Sequence, residues 1–408
     1  MPTPAPAPTP ANAVGTTSLG TVSAVTPDDV RSGPDRYVSR IGAARELGRF
    51  IAEYGRPVIV TGVRSAQAFT AYTGIDLTGS IANLTDGEGP ADAIADASAD
   101  ASADAIAATP ILRYDGSATI RNARELAAKS RVLRADVVVA IGGGKLADTA
   151  KNVAEILGAH LVIVPTLAAT CASYSALSVN YDDHHRFVSA PFHPHNSDLV
   201  LVVAGLIATG PREYLIGGIG DTLAKWYESV PVFARATSLS AFGLLSQRSA
   251  ALIRDVLFGH ALAALEALDR GEIDEHLRQV VDAIVGLGGT VGGFGGANAR
   301  SSGAHAIHDA LTFLPESGAV VHGAKVAYGI VVQLVAEGKE DEARELLPFY
   351  RQVGLPWSFA TMGLTPSGEA FATVAEAAAR PGFGFDQAVP GVSAARIADA
   401  MRAAEALS

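Results

Sequence analysis

Cysteine is almost missing from these 408 residues. Cys171 stands alone, which excludes a disulfide within the chain and fits a reducing compartment. Charge is also scarce, at 18% of residues, and the basic side chains (31) are outnumbered by the acidic ones (42), for a formal net charge of −11. A nucleic-acid surface must neutralise phosphates, and this balance excludes one. No apolar run reaches the roughly 18 residues that a membrane span needs. The opening MPTPAPAPTPANAVGTTSLG has neither the basic flank nor the apolar core of a secretory signal. The expectation is a cytoplasmic protein with no nucleic-acid and no membrane partner.

Hydrophobic residues, by contrast, make up 49% of the chain, and its length allows one large domain or two with ample core. Residues 1–30 are rich in Pro, Ala and Thr and are expected to form a disordered tail. Segment 40–55 reads as one amphipathic helix. A short buried strand at 57–61 then feeds a second helix. The stretch 87-GEGPADAIADASADASADAIAATP-110 carries too little apolar bulk to pack and reads as an exposed insertion. Strands follow at 111–115, 137–141 and 161–166, with helices around 119–134 and after Gly144. Such alternation indicates a mostly parallel sheet covered on both faces, with ligands beyond the carboxyl ends of its strands. From about residue 211 strand signals vanish and helical patterns continue to the end. The expected organisation is therefore an α/β Rossmann-like domain at 31–210 and an all-α domain at 211–408, with a site in the cleft between them.

Within 136-DVVVAIGGGKLADTAK-151 an apolar run enters Gly142, Gly143 and Gly144 and then opens a helix. Glycines admit a ligand close to the backbone, and a helix N-terminus points free N–H groups at an anion. Neither GxGxxG nor GxxxxGK[ST] is satisfied, so the turn by itself fits a phosphate cradle and a plain strand–turn–helix junction equally. Further on, Asp221 lies in 217-GGIGDTLAKWYE-228, His305 and His308 in 303-GAHAIHDAL-311, and His322 in 321-VHGAKVAYG-329. One carboxylate and two imidazoles suit a catalytic metal with an open coordination position. Each residue also has a plainer reading. An Asp after Gly is commonly a helix N-cap, a His on an Ala-rich helix is commonly packing, and His-Gly is commonly a loop pair.

Taken in order, GGGKxxDTAK at 142–151, PTxAxTxAxxSALSVxY at 165–181, GIGDxLAxWxE at 218–228, AHAIHxxLT at 304–312 and HGxKVAxG at 322–329 resemble the iron-containing (type III) alcohol dehydrogenase superfamily. The likeness is to its glycerol dehydrogenase branch and covers most of residues 36–400. It implies the type III alcohol dehydrogenase fold, shared with dehydroquinate synthase, and a divalent metal on Asp221, His305 and His322. Iron-dependent members add a His four residues after the Asp. That position is Lys225 here, so the resemblance implies zinc, with iron as the alternative. It also places a nicotinamide dinucleotide against Gly144, Lys145, Asp148, Thr166, Ala169, Ser175, Leu177 and Tyr181, with Gly142, Gly143 and Thr170 in the same turns. His308 is the candidate for proton transfer, with a structural role equally open. Relatives are commonly multimeric, which implies a homo-oligomer.

Two departures stand out. Glycerol dehydrogenases carry an Asp where this chain has Cys171, and that Asp bonds a polyol hydroxyl. A thiol is a weak donor and brings no carboxylate charge. The substitution favours a small 2-oxo or 2-hydroxy acid, or an aldehyde, over glycerol, and with GIGDTLAKWYE it resembles the hydroxycarboxylate dehydrogenase members. Cys171 as mere filler is the alternative. After the first βα strand, Val63 takes the place of an acidic residue that bonds the ribose 2′-hydroxyl, and Arg64 follows. NADP(H) is therefore expected over NAD(H), unless Arg64 is only a solvated helix-start charge. Other readings are a glycerol dehydrogenase, a cyclase-type synthase, which would need a basic cluster for a phosphorylated substrate, and a non-catalytic homologue. The glycines of 286–298 are expected to serve close helix packing or a loop. The His residues at 184, 185, 193 and 195 are expected in a solvated hairpin loop.

Overall fold

Runs such as 57-PVIVT-61, 137-VVVAIG-142 and 199-LVLV-202 are dominated by Val, Ile and Leu and are buried at every position, as strands covered on both faces require. The computed structural model describes residues 30–78, 105–184 and 186–407. The Pro-rich tail, residues 87–104 of the insertion and His185 lie outside the described residues. Six strands, β1 (Arg36–Ser39), β2 (Pro57–Thr61), β3 (Ile111–Arg113), β4 (Val137–Gly142), β5 (His160–Pro165) and β8 (Leu199–Val202), form one sheet in the order β1-β8-β5-β4-β2-β3. Every pair in it is parallel. A two-stranded antiparallel ribbon, β6 (Asn180–Tyr181) with β7 (Phe187–Ser189), hangs off it.

Alternate residues enter opposite layers. Ile59, Val139, Ile141 and Val164 join one core, while Val58, Val138, Ile163 and Val200 join the other. That second core runs without a break into the helices of the C-terminal half, through Ile219, Leu223, Leu257 and Val326. Beyond Val202 the described residues contain helices and no strand. The chain steps from β2 outward to β3, then back over β2 to β4. The reversal puts the sheet's topological switch between the carboxyl ends of β2 and β4, where such sheets form a ligand crevice.

Two expectations need correction. Segment 40–55 is not one helix: a 3₁₀ turn (Ala43–Glu46), a single α turn (Leu47–Ile51) and another 3₁₀ turn (Ala52–Tyr54) follow in succession. Its apolar face is kept, but Gly48 at its centre weakens propagation. The end of the insertion is not exposed, because Ile106 is fully buried in the core beneath β2 and β4. Of the two readings of the glycine-rich stretch, helix packing holds: a π turn (Ala283–Leu287) leads into an α-helix (Gly288–Gly295) whose bare positions lie against neighbouring atoms.

Candidate functional site

Both ends of the switch crevice open onto helices. The helix after β2, α1 (Val63–Thr73), starts at Gly62 with Val63 and Arg64 both exposed at its first turn. The helix after β4, α2 (Gly144–Leu157), starts at Gly143. No side chain caps either N-terminus, so their first N–H groups face the crevice unclaimed by a cap. A Cβ on Gly144 would lie 2.9 Å from Thr170 Oγ1, so the turn fits directly beneath the loop that follows β5. Thr166 N donates to the Gly142 carbonyl, and the Lys145 ammonium sits 5.7 Å from the Tyr181 ring centre. Ser175 Oγ bonds the Cys171 carbonyl. The Asp148 carboxylate is buried and paired with Lys151 Nζ at 2.8 Å, and Lys151 also bonds the Leu177 carbonyl. Ala169 lies in the same loop, between Ala168 and Thr170.

The second cluster is built on three helices: α3 (Arg212–Arg235), α4 (Gly303–Leu311) and α5 (His322–Glu337). Glycines bring them together. A Cβ on Gly323 would lie 1.8 Å from the Gly217 carbonyl oxygen, and one on Gly329 would lie 2.3 Å from the Ala304 carbonyl oxygen. Bare backbone at these positions lets α5 touch both partners. Asp221 is therefore not an N-cap: it lies in the middle of the 24-residue α3 and is buried. Its Oδ1 is 3.2 Å from His305 Nε2 and 3.1 Å from His322 Nε2. Among the described residues this is the cluster whose donor atoms, one from each side chain, lie within 4.8 Å of one another, close enough to share an ion.

The far nitrogen of each imidazole is held as well. His305 Nδ1 lies 2.7 Å from Glu228 Oε2, and His305 N donates to Glu228 Oε1. His322 Nδ1 lies 2.9 Å from His308 Nε2, and His308 Nδ1 lies 2.9 Å from Asp309 Oδ1. Histidines that ligate metals are oriented in this way, with the non-ligating N–H given to a second group. Sequence reading missed Glu228 and Asp309 as partners. Glu228 was within reach, since it lies seven residues, about two helical turns, after Asp221 and so shares its face.

Electrostatics agree with the geometry. Burial alone would raise the Asp221 carboxyl, but Lys225 and the bonds from His305 and His322 outweigh it and hold the group well below the usual range. Burial disfavours a charged His305, yet Glu228 and Asp221 prevail and raise its pKa to about 9. His308 is pushed far down, first by burial and then by His322 and Lys325, so it stays neutral and can accept from His322. The loop after β5 connects the two clusters. One side of it covers Gly144, while on the other a Cβ on Gly218 would strike the Ala168 carbonyl oxygen at 2.0 Å. A Cβ on Gly288 would lie 3.2 Å from Cys171 Cβ and 3.7 Å from Thr222 Cγ2, so Cys171 and the residue after Asp221 both pack over this glycine.

Of the histidines at 184, 193 and 195, His184 and His195 are exposed, as a solvated hairpin loop requires, and His193 departs from that expectation. His193 is buried, 2.7 Å from Ser178 Oγ and bonded to Glu155, so it ties the hairpin to α2 rather than lying in solvent. Ser178 in turn donates to the Asp148 carbonyl.

A family model for iron-containing alcohol dehydrogenases matches residues 76–203. Hydroxycarboxylate dehydrogenase A of Escherichia coli (strain K12) is 40% identical over 249 residues, which is 61% of this chain and 68% of that protein. The chain belongs to the iron-containing alcohol dehydrogenase family. It is an oxidoreductase of that family. Glycerol dehydrogenase of Thermotoga maritima is 37% identical over 241 residues, 56% of this chain and 63% of that protein, so the matched segments span about two thirds of these relatives. The crystal structure of a probable glycerol dehydrogenase from Sinorhizobium meliloti 1021 superposes over 93% of this chain and 98% of its own, with a TM-score of 0.77 at 28% identity. Among the described residues no helix is long and apolar enough to cross a membrane.

Proposed function

We propose that this chain is a metal-dependent, NAD(P)-linked dehydrogenase that transfers hydride between a nicotinamide and a small 2-oxo acid or 2-hydroxycarboxylate, with small aldehydes as further substrates. The observation that carries it is the convergence of His305 Nε2 and His322 Nε2 on Asp221 Oδ1, each imidazole with its other nitrogen already bonded. These donors fit a divalent cation: one carboxylate, two neutral imidazoles and room for a substrate oxygen. Bound in this site, the cation would supply Lewis-acid polarisation of the substrate oxygen, and the dinucleotide would supply the hydride.

The residues then take distinct roles. Asp221, His305 and His322 hold the cation. Glu228 fixes His305 with its proton on Nδ1, and His308, backed by Asp309, does the same for His322, which makes His308 a positioning residue. Lys225 stands near the cluster as a cation, donates to the Arg300 carbonyl at 2.9 Å and offers no metal ligand, so the donor set stays at three, which favours zinc over iron. The uncapped starts of α1 and α2 hold the dinucleotide phosphates. Val63 and Arg64 supply no carboxylate against a 2′-phosphate, which favours NADPH. The relatives named hydroxycarboxylate and glycerol dehydrogenase support the reaction class, and Cys171 tips the balance to the former.

The test is a panel of 2-oxobutanoate, 2-oxoglutarate, small aldehydes and glycerol, each with NADPH/NADP⁺ and NADH/NAD⁺, on enzyme of measured metal content. Oxo acids with NADPH are expected to give the highest kcat/KM. Glycerol turning over faster than both oxo acids would overturn the substrate reading, and full turnover after removal of metal would overturn the whole.

A further inference from the structure

The glycine-rich helix α6 (Gly288–Gly295) presents bare backbone beside Cys171. Gly288 and Gly292 are four apart and so share one face. Over Gly288 lies Cys171. Over Gly292 lies the Arg300 guanidinium, whose Cζ would be 2.6 Å from a Cβ there. Arg300 and Cys171 are thus neighbours on a strip of bare backbone.

Arg300 Nε is sequestered from solvent and has no hydrogen-bond partner. No carboxylate pairs with this guanidinium among the described residues; it rests against the Phe192 ring at 5.3 Å, with Arg31 on the same ring at 5.6 Å. Burial weakens its hold on its proton, Cys171 opposes that and Arg31 adds to it, which makes the two arginines and the thiol one electrostatic group. A half-buried guanidinium whose Nε is shut off from water and unpaired is costly to leave without an anion. Its backbone is also fixed relative to the metal cluster, since Lys225, one helical turn past Asp221, donates to its carbonyl. Two other cations flank the site, Lys145 against the Tyr181 ring at the start of α2 and Lys325 bonded to the Ser317 carbonyl.

We infer that Arg300 binds the carboxylate of the substrate, beside Cys171, and sets the preference for oxo acids over neutral carbonyls and polyols. The inference rests on the oxidoreductase reading of the site and names its substrate class. It also gives Cys171 a physical role. A carboxylate at position 171 would occupy the guanidinium, whereas a thiol leaves it free for a bidentate bond to substrate.

The test compares 2-oxobutanoate with its neutral isostere 2-oxobutanamide in metal-loaded enzyme, for the native chain, R300Q, R300K and C171D, with metal content and NADPH fluorescence checked for each. R300Q is expected to lower kcat/KM for the acid roughly 10- to 100-fold, chiefly through KM, and to change the amide by less than about threefold. R300K should recover part of the loss. C171D should reproduce it without touching the arginine, and carries the test should R300Q not fold. Equal losses on acid and amide, or no loss on the acid, would overturn the inference while leaving the oxidoreductase reading intact. A native enzyme that reduces neither compound would overturn both.

Discussion

Glu228 holds His305 by two bonds at once, accepting from the ring Nδ1 at 2.7 Å and from the backbone N at 2.9 Å. It also accepts from Ser302 N at 2.7 Å, so one buried carboxylate ties α4 to α3 where His305 must face Asp221. Replacing it with Gln keeps an acceptor but removes the charge that favours the Nδ1–H tautomer. E228Q is expected to weaken divalent-metal affinity about 10- to 100-fold, measured by competition with a chelator. An unchanged affinity would show that the pairing is packing only.

The same pairing sets a pH dependence. In the metal-free chain His305 has its pKa raised to about 9, against about 6.5 for an unfolded His. A raised folded pKa stabilises where the proton is bound. This contribution is therefore complete below about pH 6.5 and is lost as pH rises to about 9. Metal must displace that proton, so the two trends oppose each other: from pH 6.5 to 9 metal affinity should rise while the His305 contribution to metal-free stability falls. Calorimetric titration with zinc across that range checks the first trend, and chelator-treated thermal melts check the second.

Gly323 is a stability test independent of chemistry. Its missing Cβ would sit 1.8 Å from the Gly217 carbonyl oxygen, which is backbone and cannot swing aside. G323A is expected to destabilise by about 3 kcal/mol, the upper range of overpacking costs, with metal affinity reduced because α5 carries His322. Urea denaturation of both proteins reads the first effect directly.

The proposed preference for NADPH rests on Val63, at the exposed first turn after β2. V63D restores a carboxylate that can accept from a ribose 2′-hydroxyl and repel a 2′-phosphate. The ratio of kcat/KM for NADPH over NADH is expected to fall by about tenfold or more. No change would place the adenosine ribose elsewhere.

The sheet was legible because its strands are buried on both faces and read as unbroken Val/Ile runs, and the helical half because those runs stop after Val202. Asp221, His305 and His322 could be singled out because each sits in a short ordered motif. What escaped is whatever depends on partners distant in the chain. The burial of His193 is set by Ser178 and Glu155, and that of Ile106 by the core beneath β2 and β4. The isolation of the Arg300 guanidinium is set by Gly292 and Phe192. Local pattern carries no record of such encounters. The 3₁₀ turns in 43–54 escaped for a different reason: the apolar spacing is helical, but it does not distinguish one tight turn from another.

The central claim is that Asp221, His305 and His322 grip one catalytic divalent cation. Metal content by mass spectrometry, measured alongside activity on the native protein and on D221A and H322A, tests it most directly. The account predicts one equivalent of metal per native chain, its loss in both variants, and a fall in kcat/KM of roughly a thousandfold or more. Native protein free of metal that works at full rate in the presence of chelator would contradict it.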